Sequence, residues 1–198
     1  MKTPDDDDRD LVDSIVRGNA GLFHVLVEKY QKKLYNFGLK ICKDSQDAED
    51  LVQESFINVF KYLKDFRQET KFKNWMYLIA SSVCYKMRRK SKFAPDRELP
   101  LEDYLPEGHT TTDSAIPEWA IEPVDQLLNQ ELSEQIKAAV SKLPSDYRLV
   151  LVLRDMEGFS TEETAGILKI TSANVKVRLH RARLFLRDAL KEYYEHTP

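Results

Sequence analysis

The chain is poor in the residues from which active sites and secreted scaffolds are built. Two cysteines, Cys42 and Cys84, are too few for a disulfide framework and have no zinc-ligand spacing. They read as reduced core thiols of a reducing cytoplasm. The four histidines, His24, His109, His180 and His196, show neither metal nor triad spacing. No catalytic residue, metal, cofactor or small-molecule substrate is expected, and an enzyme is the poorest fit. No apolar run approaches the roughly 20 residues of a membrane span, so insertion into a bilayer is not expected. The acidic opening from Met1 to Asp10 does not fit a signal peptide. A cytoplasmic protein is the expectation. The run Asp5 to Asp8 lacks the ligand spacing of a calcium loop and reads as a solvated tail. No internal repeat is visible.

What is present is a globular composition, 42% hydrophobic over 198 residues, enough for one domain or two small ones. The net charge of −3 hides a segregation. Eleven acidic residues and one basic residue, Arg97, lie between Phe93 and Glu134, so the remainder is net positive. An acidic protein can still bind DNA when its positive charge is local.

The pattern predicts an all-α fold of two small helical domains joined by an acidic, proline-containing linker. Residues 1–9 form the tail and 10–92 the first domain. A helix over Asp10 to Arg17 stops at Gly18-Asn19. A second begins near Gly21, with Phe23, Leu26, Val27, Tyr30, Leu34 and Phe37 on one side. Asp44 or Ser45 caps a third, whose apolar stripe is Leu51, Val52, Phe56, Val59 and Phe60. After a loop from Phe66 to Thr70, a last helix runs from Phe72 to Lys92. Residues 93–123 hold five prolines and read as an extended, self-repelling linker. The second domain, 124–198, opens with a helix to Lys142. Ser145 is expected to cap the next helix, which reaches Gly158.

The strongest local signal follows. Gly158 to Leu168, the turn Lys169-Ile170-Thr171 and the segment from Ser172 to Arg183 read as a helix-turn-helix, a common way to seat a helix in the major groove. Ser160 and Glu163 fit a capping box, and Ser172 fits an N-cap. Val175, Leu179, Ala182 and Leu186 form a buried stripe. The opposite face carries Ala173, Val177 and His180, flanked by Asn174, Lys176, Arg181 and Arg183. From Lys169 to Arg187 there are six Lys or Arg and no Asp or Glu. A basic helix face is ordinarily just solvated; here turn, caps and one-sided charge agree on DNA.

In the first domain, Phe66, Phe72, Trp75 and Tyr77 lie close to Lys71, Lys73, Lys86, Arg88 and Arg89. Aromatic rings with cations are how single-stranded nucleic acid is held. Aromatics at helical spacing are usually core, and Trp75 favours that reading; Phe66, in a loop, is the better exposed ring. Asp47, Glu49, Asp50, Gln53 and Glu54 give the third helix an acidic side, a solvated face or a dock for a basic partner.

Three segments, in order, resemble the sigma-70 family of bacterial RNA polymerase sigma factors. Asp47-Ala48-Glu49-Asp50-Leu51-Val52-Gln53-Glu54-Ser55-Phe56 is similar to the family's core-polymerase-binding helix. Phe66-Arg67 through Phe72, Trp75-Met76-Tyr77 and Ile79-Ala80 resembles the promoter-melting segment. Leu143-Pro144, Tyr147-Arg148 and the stretch through Arg183 resembles the C-terminal DNA-binding domain. The short two-domain length resembles the extracytoplasmic function (ECF) group.

The resemblance implies an alternative sigma factor that binds core RNA polymerase and directs it to particular promoters. Asp47, Asp50, Gln53 and Glu54 would meet the clamp helices of the largest subunit. Phe66, Lys73, Trp75, Tyr77, Ser82, Lys86, Arg88 and Arg89 would read and open the −10 element, capturing an unstacked base. Ser172, Ala173, Asn174, Lys176, Val177, Arg178, His180, Arg181 and Arg183 would read the −35 element. The linker would run through the polymerase, and an anti-sigma factor is the further partner implied. Two positions depart from the common pattern: Ser82 stands where Asn is frequent, and Val177 where Ser is frequent. Val177 is expected to meet a thymine methyl. The rival function is a conventional helix-turn-helix regulator that binds operator DNA without polymerase.

Overall fold

Helices and tight turns account for the regular structure. The computed structural model describes residues 4–42, 44–90 and 126–196. The predicted linker, 93–123, lies outside the described residues. The elements are α1 (Pro4–Val16), α2 (Phe23–Ile41), α3 (Ser45–Tyr62), α4 (Phe72–Lys90), α5 (Gln126–Lys142), α6 (Ser145–Leu151), α7 (Thr161–Leu168) and α8 (Ser172–His196).

α2 and α3 pair because each carries an apolar stripe and only a short connection separates them. Leu26, Tyr30, Leu34, Phe37 and Ile41 are buried from α2, and Ala48, Leu51, Phe56 and Val59 from α3. Gly38 sets the closeness of the crossing. A Cβ built on it would stand 3.0 Å from the Ala48 Cβ and 3.1 Å from its Cα. Asp44 caps α3, its carboxylate accepting from the Asp47 amide at 2.7 Å. α4 closes the domain with Phe72, Met76, Ile79, Ala80 and Val83 buried. Cys42 and Cys84 form no disulfide. Both sit half-buried at the core's edge, and burial, then the neighbouring Cys84, pushes the Cys42 thiol up to about 12.

The N-terminus departs from the expectation. Residues 4–9, read as a solvated tail, belong to α1, which starts six residues before the predicted helix. Asp8 is 3% exposed, accepting from Tyr30 Oη and from Lys29 Nζ. A buried carboxylate needs such partners, and these lie on α2. Val12 and Ile15 bury the same side of α1. Phe60, read as part of the α3 stripe, is 53% exposed; its ring meets the edge of Phe23 at 5.0 Å.

The second domain wraps α5, α6 and α7 around α8. Val140, Leu143, Leu149, Leu153, Phe159, Ile167, Val175, Leu179 and Ala182 supply its core. Pro144 occupies the N-cap of α6, so Ser145 is the helix's first residue, buried, and not its cap. α6 runs into a π-helical turn, Val152–Met156, and the chain reverses at Gly158, whose φ of 74° favours glycine.

The two domains touch. Arg148, 7% exposed, donates to the carbonyls of Ser141 (2.6 Å) and Leu143 (2.7 Å) in its own domain, and to Ile41 (2.8 Å) at the end of α2. These are helix-terminal carbonyls left without intrahelical partners, where a cation is favourable.

Candidate nucleic-acid interface

The helix-turn-helix forms as its residues dictate. The Ser160 hydroxyl accepts from the Glu163 amide at 3.0 Å, and the Glu163 carboxylate accepts from the Ser160 amide at 2.8 Å. That amide, then the Asn74 side chain, holds the Glu163 carboxyl below its ordinary range. α7 ends at Lys169, left-handed at φ 55°. Thr171 then caps α8: its Oγ1 accepts from the Asn174 amide at 3.2 Å. Ser172, predicted as that cap, is the first helical residue. The chosen acceptor is the residue whose hydroxyl reaches the third amide of the helix.

On α8, Val175, Leu179 and Ala182 face inward as predicted. Ala173, Lys176 and Val177 are exposed, Val177 at 49%; Ser172, Asn174, His180 and Arg181 are half-exposed beside them. Arg178 and Arg183 have intramolecular work. Arg178 pairs with Asp146 at 3.1 Å. Arg183 grips Asp155 with two donors, at 2.9 and 2.8 Å. Such bidentate pairs are geometrically demanding, so Arg183 braces α8 against the turn before α7. The face open to DNA is narrower and less charged than the six cations implied.

On the first domain, α3 presents Asp47, Asp50 and Gln53 to solvent. Partial burial, then Asp44 and Asp50, holds the Asp47 carboxyl above its ordinary range. Glu54 is half-exposed and pairs with Lys86 of α4 at 3.2 Å. Asp50, Gln53, Glu54, Ile57, Val83, Lys86 and Met87 line one shallow groove. Ile57 is 61% exposed. Neither Ile57 nor Phe60 was singled out from sequence as a surface contact; their positions, three and six residues beyond Glu54, were the available signal.

Further along α4, Ser82, Tyr85, Lys86 and Arg89 line an open cavity. The Ser82 hydroxyl donates back to the Leu78 carbonyl at 2.8 Å, and the Arg88 guanidinium lies 5.9 Å from the Tyr85 ring centre. A second cavity forms in the loop before α4, lined by Arg9, Phe66, Gln68, Glu69, Thr70, Lys71 and Phe72. Phe66 is half-buried, its ring stacked on Trp75 at 4.7 Å. Gln68 has a left-handed backbone, φ 57°, and its side chain donates to Asp13 of α1 at 2.5 Å. The loop is strapped to α1, a residue pairing that no local pattern discloses.

Two predicted −10 residues are not open. Tyr77 is fully buried. Its hydroxyl donates to Glu157 at 2.7 Å and its ring meets the edges of Phe37 and Phe159 at 5.1 and 4.8 Å. Burial and the Glu157 carboxylate push that phenol above its ordinary value. Lys73 donates to the Glu157 carbonyl at 3.4 Å and stands 4.3 Å from the Phe159 ring centre. Of the aromatic-cation cluster, Phe72, Lys73, Trp75, Tyr77, Lys86, Arg88 and Arg89 share α4, Phe66 and Lys71 lie in the loop before it, and Lys73 and Tyr77 face the second domain.

Two helical domains, one carrying a capped helix-turn-helix and the other a cationic helix beside an aromatic loop, define a DNA-binding protein of transcription. Residues 26–94 match the family model described as sigma-70 region 2, and residues 133–186 that of sigma-70, region 4. The RNA polymerase sigma-H factor of Pseudomonas aeruginosa is 31% identical over 187 residues, 93% of this chain and 94% of the relative. The ECF RNA polymerase sigma factor SigW of Bacillus subtilis is 32% identical over 181 residues, 91% of this chain and 95% of the relative. Among solved structures, CnrH in complex with the cytosolic domain of CnrY matches with a TM-score of 0.65 at 22% identity, covering 93% of this chain and 97% of that one. The sigma factor RpoE of Bartonella quintana, solved with the anti-sigma factor NepR, matches at 0.61 and 24%, covering 85% and 96%. The chain belongs to the ECF group of the sigma-70 family, alternative sigma factors that direct promoter-specific transcription initiation. Among the described residues, no helix is long and apolar enough to cross a membrane.

Proposed function

We propose that the groove on α3 docks the clamp helices of the polymerase's largest subunit, through Asp47, Asp50, Gln53 and Glu54, with Ile57 and Phe60 as the apolar part of the same contact. The observation that carries the reading is the coexistence of two exposed faces of opposite chemistry. One is acidic and apolar, on α3; the other, on α8, exposes Lys176 and Val177 with Asn174, His180 and Arg181 half-exposed beside them and no acid among them. A mixed acidic and apolar face suits a basic protein partner, since charge steers the encounter while apolar burial holds it.

Ser82, Lys86, Arg88 and Arg89 contact the −10 element. The loop cavity beside the Phe66–Trp75 stack takes an unstacked base, because paired rings offer a base a π-face. Ser172, Ala173, Asn174, Lys176, Val177, His180 and Arg181 meet the −35 element, and Val177 offers its methyl groups to thymine. The chain acts in the cytoplasm, and an anti-sigma factor competes for these surfaces.

The test is co-elution of the purified chain with bacterial core RNA polymerase on a sizing column, followed by transcription from a promoter library. Co-elution with promoter-specific initiation supports the reading. No co-elution, with tight operator binding by the chain alone, overturns it in favour of a conventional regulator.

A further inference from the structure

We propose that α1 belongs to the nucleic-acid surface: Arg9 binds the phosphate beside the unstacked −10 base, and Asp13 is a positioning residue that holds the capturing loop through Gln68. The inference rests on the base-capture reading given above.

Two anchors fix α1 against the loop cavity. The first is its buried side, where Asp8, Val12 and Ile15 recur at helical spacing. The Asp8 carboxylate accepts from Tyr30 Oη and, at 2.6 Å, from Lys29 Nζ. The Tyr30 ring in turn meets the edge of Phe72, a wall of the cavity, at 5.7 Å. Arg9 and Asp13 are one helical turn apart, so they share a face beside that buried stripe, about 6 Å apart along the axis. The second anchor lies on this face: the Asp13 carboxylate accepts from the Gln68 side chain at 2.5 Å. Gln68 needs a hold from outside. Its left-handed φ of 57° is unfavourable for a residue with a Cβ and persists only where the surroundings fix it. Gln68 joins Phe66 to the rim formed by Glu69 and Lys71, so its backbone sets where that rim stands.

Arg9 is exposed and lines the cavity, whose volume is about 300 Å³. That is the low end of small-ligand pockets, roughly 300–1,000 Å³, and suits one base rather than a duplex. A base that leaves its stack brings its phosphate to the rim. The charged residues lining the cavity are Arg9 and Lys71 against Glu69. With Arg9 the rim is positive; without it the charges cancel and a phosphate gains little. A guanidinium keeps its charge and presents a planar fork that matches phosphate oxygens. The ring walls hold the base and Arg9 holds the backbone, the pairing by which single strands are bound.

The experiment uses the chain assembled with core polymerase and a −10 single strand from a promoter selected in the library, either intact or abasic at the captured position. Arg9→Ala should weaken binding of the intact strand about tenfold, the loss of one charge-assisted hydrogen bond. It should also lower the salt slope by about 0.7, the loss of one phosphate contact on a single strand. Arg9→Lys should keep the slope and recover part of the affinity. Lys32→Ala, at an exposed cation of α2 outside the cavity, should change neither. Asp13→Ala should erase most of the advantage of the intact strand over the abasic one and leave the slope at wild type. Asp13→Asn keeps an acceptor oxygen and should restore that advantage. Gln68→Asn tolerates the left-handed backbone but is one methylene shorter, and should reproduce Asp13→Ala. An Arg9→Ala chain with wild-type affinity and slope overturns the phosphate contact. Losses on Asp13→Ala that are equal for intact and abasic strands overturn its positioning role, since support of the fold alone would give them. A wild type that binds both strands equally refutes base capture itself, while the slope of Arg9→Ala still decides whether α1 meets phosphate.

Discussion

Arg148 and Ile41 are joined across 107 positions of sequence by one hydrogen bond, the guanidinium donating to the carbonyl at 2.8 Å. The same guanidinium holds Ser141 and Leu143, so one side chain closes the end of α5 and pins it to the end of α2. Arg148→Met leaves three carbonyls without that donor, those of Ile41 and Leu143 in buried contacts and that of Ser141 in a part-buried one. The expected cost is about 3 kcal/mol, read as a lower midpoint in denaturant unfolding. Arg148→Lys should recover only part, because an ammonium lacks the planar fork that reaches three acceptors. A midpoint unchanged in Arg148→Met would refute this account.

Gly38 supports the proposed polymerase face on α3 from behind. Its missing Cβ lets α2 approach Ala48 of α3. Gly38→Val puts branched carbons into backbone, which cannot rotate away, and overpacking of this kind costs about 1–3 kcal/mol. α3 should shift, so binding to core polymerase should weaken together with thermal stability. The comparison that matters is Gly21→Val, where an added Cβ would meet nothing within 4 Å; equal losses at both positions would contradict the packing argument.

The capping box makes the helix-turn-helix sensitive to acid. The Glu163 carboxyl is held low by the Ser160 amide, then by Asn74. A group with a lowered folded pKa adds stability above its unfolded value, about 4.3 for glutamate, and loses it as pH falls through the lowered value. Wild type should therefore exceed Glu163→Ala by about 1 kcal/mol at pH 7. The gap should hold down to about pH 5 and close below pH 4. Unfolding midpoints of both chains across that range check it, and a gap that widens on acidification would reverse the sign.

Periodicity made the helices legible, and the caps at Ser160 and Asp44 were readable because capping is local. The buried stripe of α8 followed from spacing alone. What escaped the sequence was long-range partnership. An apolar or cationic face says that something covers it, not what. Asp8 looked like a solvated tail because its partners, Lys29 and Tyr30, lie 21 and 22 positions away. Tyr77 looked like a nucleic-acid contact because the 80 residues separating it from Glu157 carry no pattern linking the two. Phe60 fell on the apolar stripe by periodicity, yet it stands 53% exposed with its ring against Phe23.

Arg183 and Lys176 separate structural cations on α8 from reading ones. Arg183 is occupied by Asp155 through two donors, whereas Lys176 is exposed on the outer face. Lys176→Ala should weaken −35 duplex binding at every sequence alike and reduce the salt slope by about 1, because one phosphate contact and its released counterion are lost. Arg183→Ala should first lower the stability of the second domain, since Asp155 loses its partner, and leave the salt slope of the folded chain near wild type. Val177→Ser removes methyl groups without touching charge, so its effect should appear only at the base pair it meets, about 1–3 kcal/mol of discrimination, and not in the slope. Salt titrations of the three variants on one duplex distinguish these outcomes. A slope lowered by Arg183→Ala as much as by Lys176→Ala would mean that the Asp155 pair opens on DNA, and that Arg183 is a phosphate contact after all.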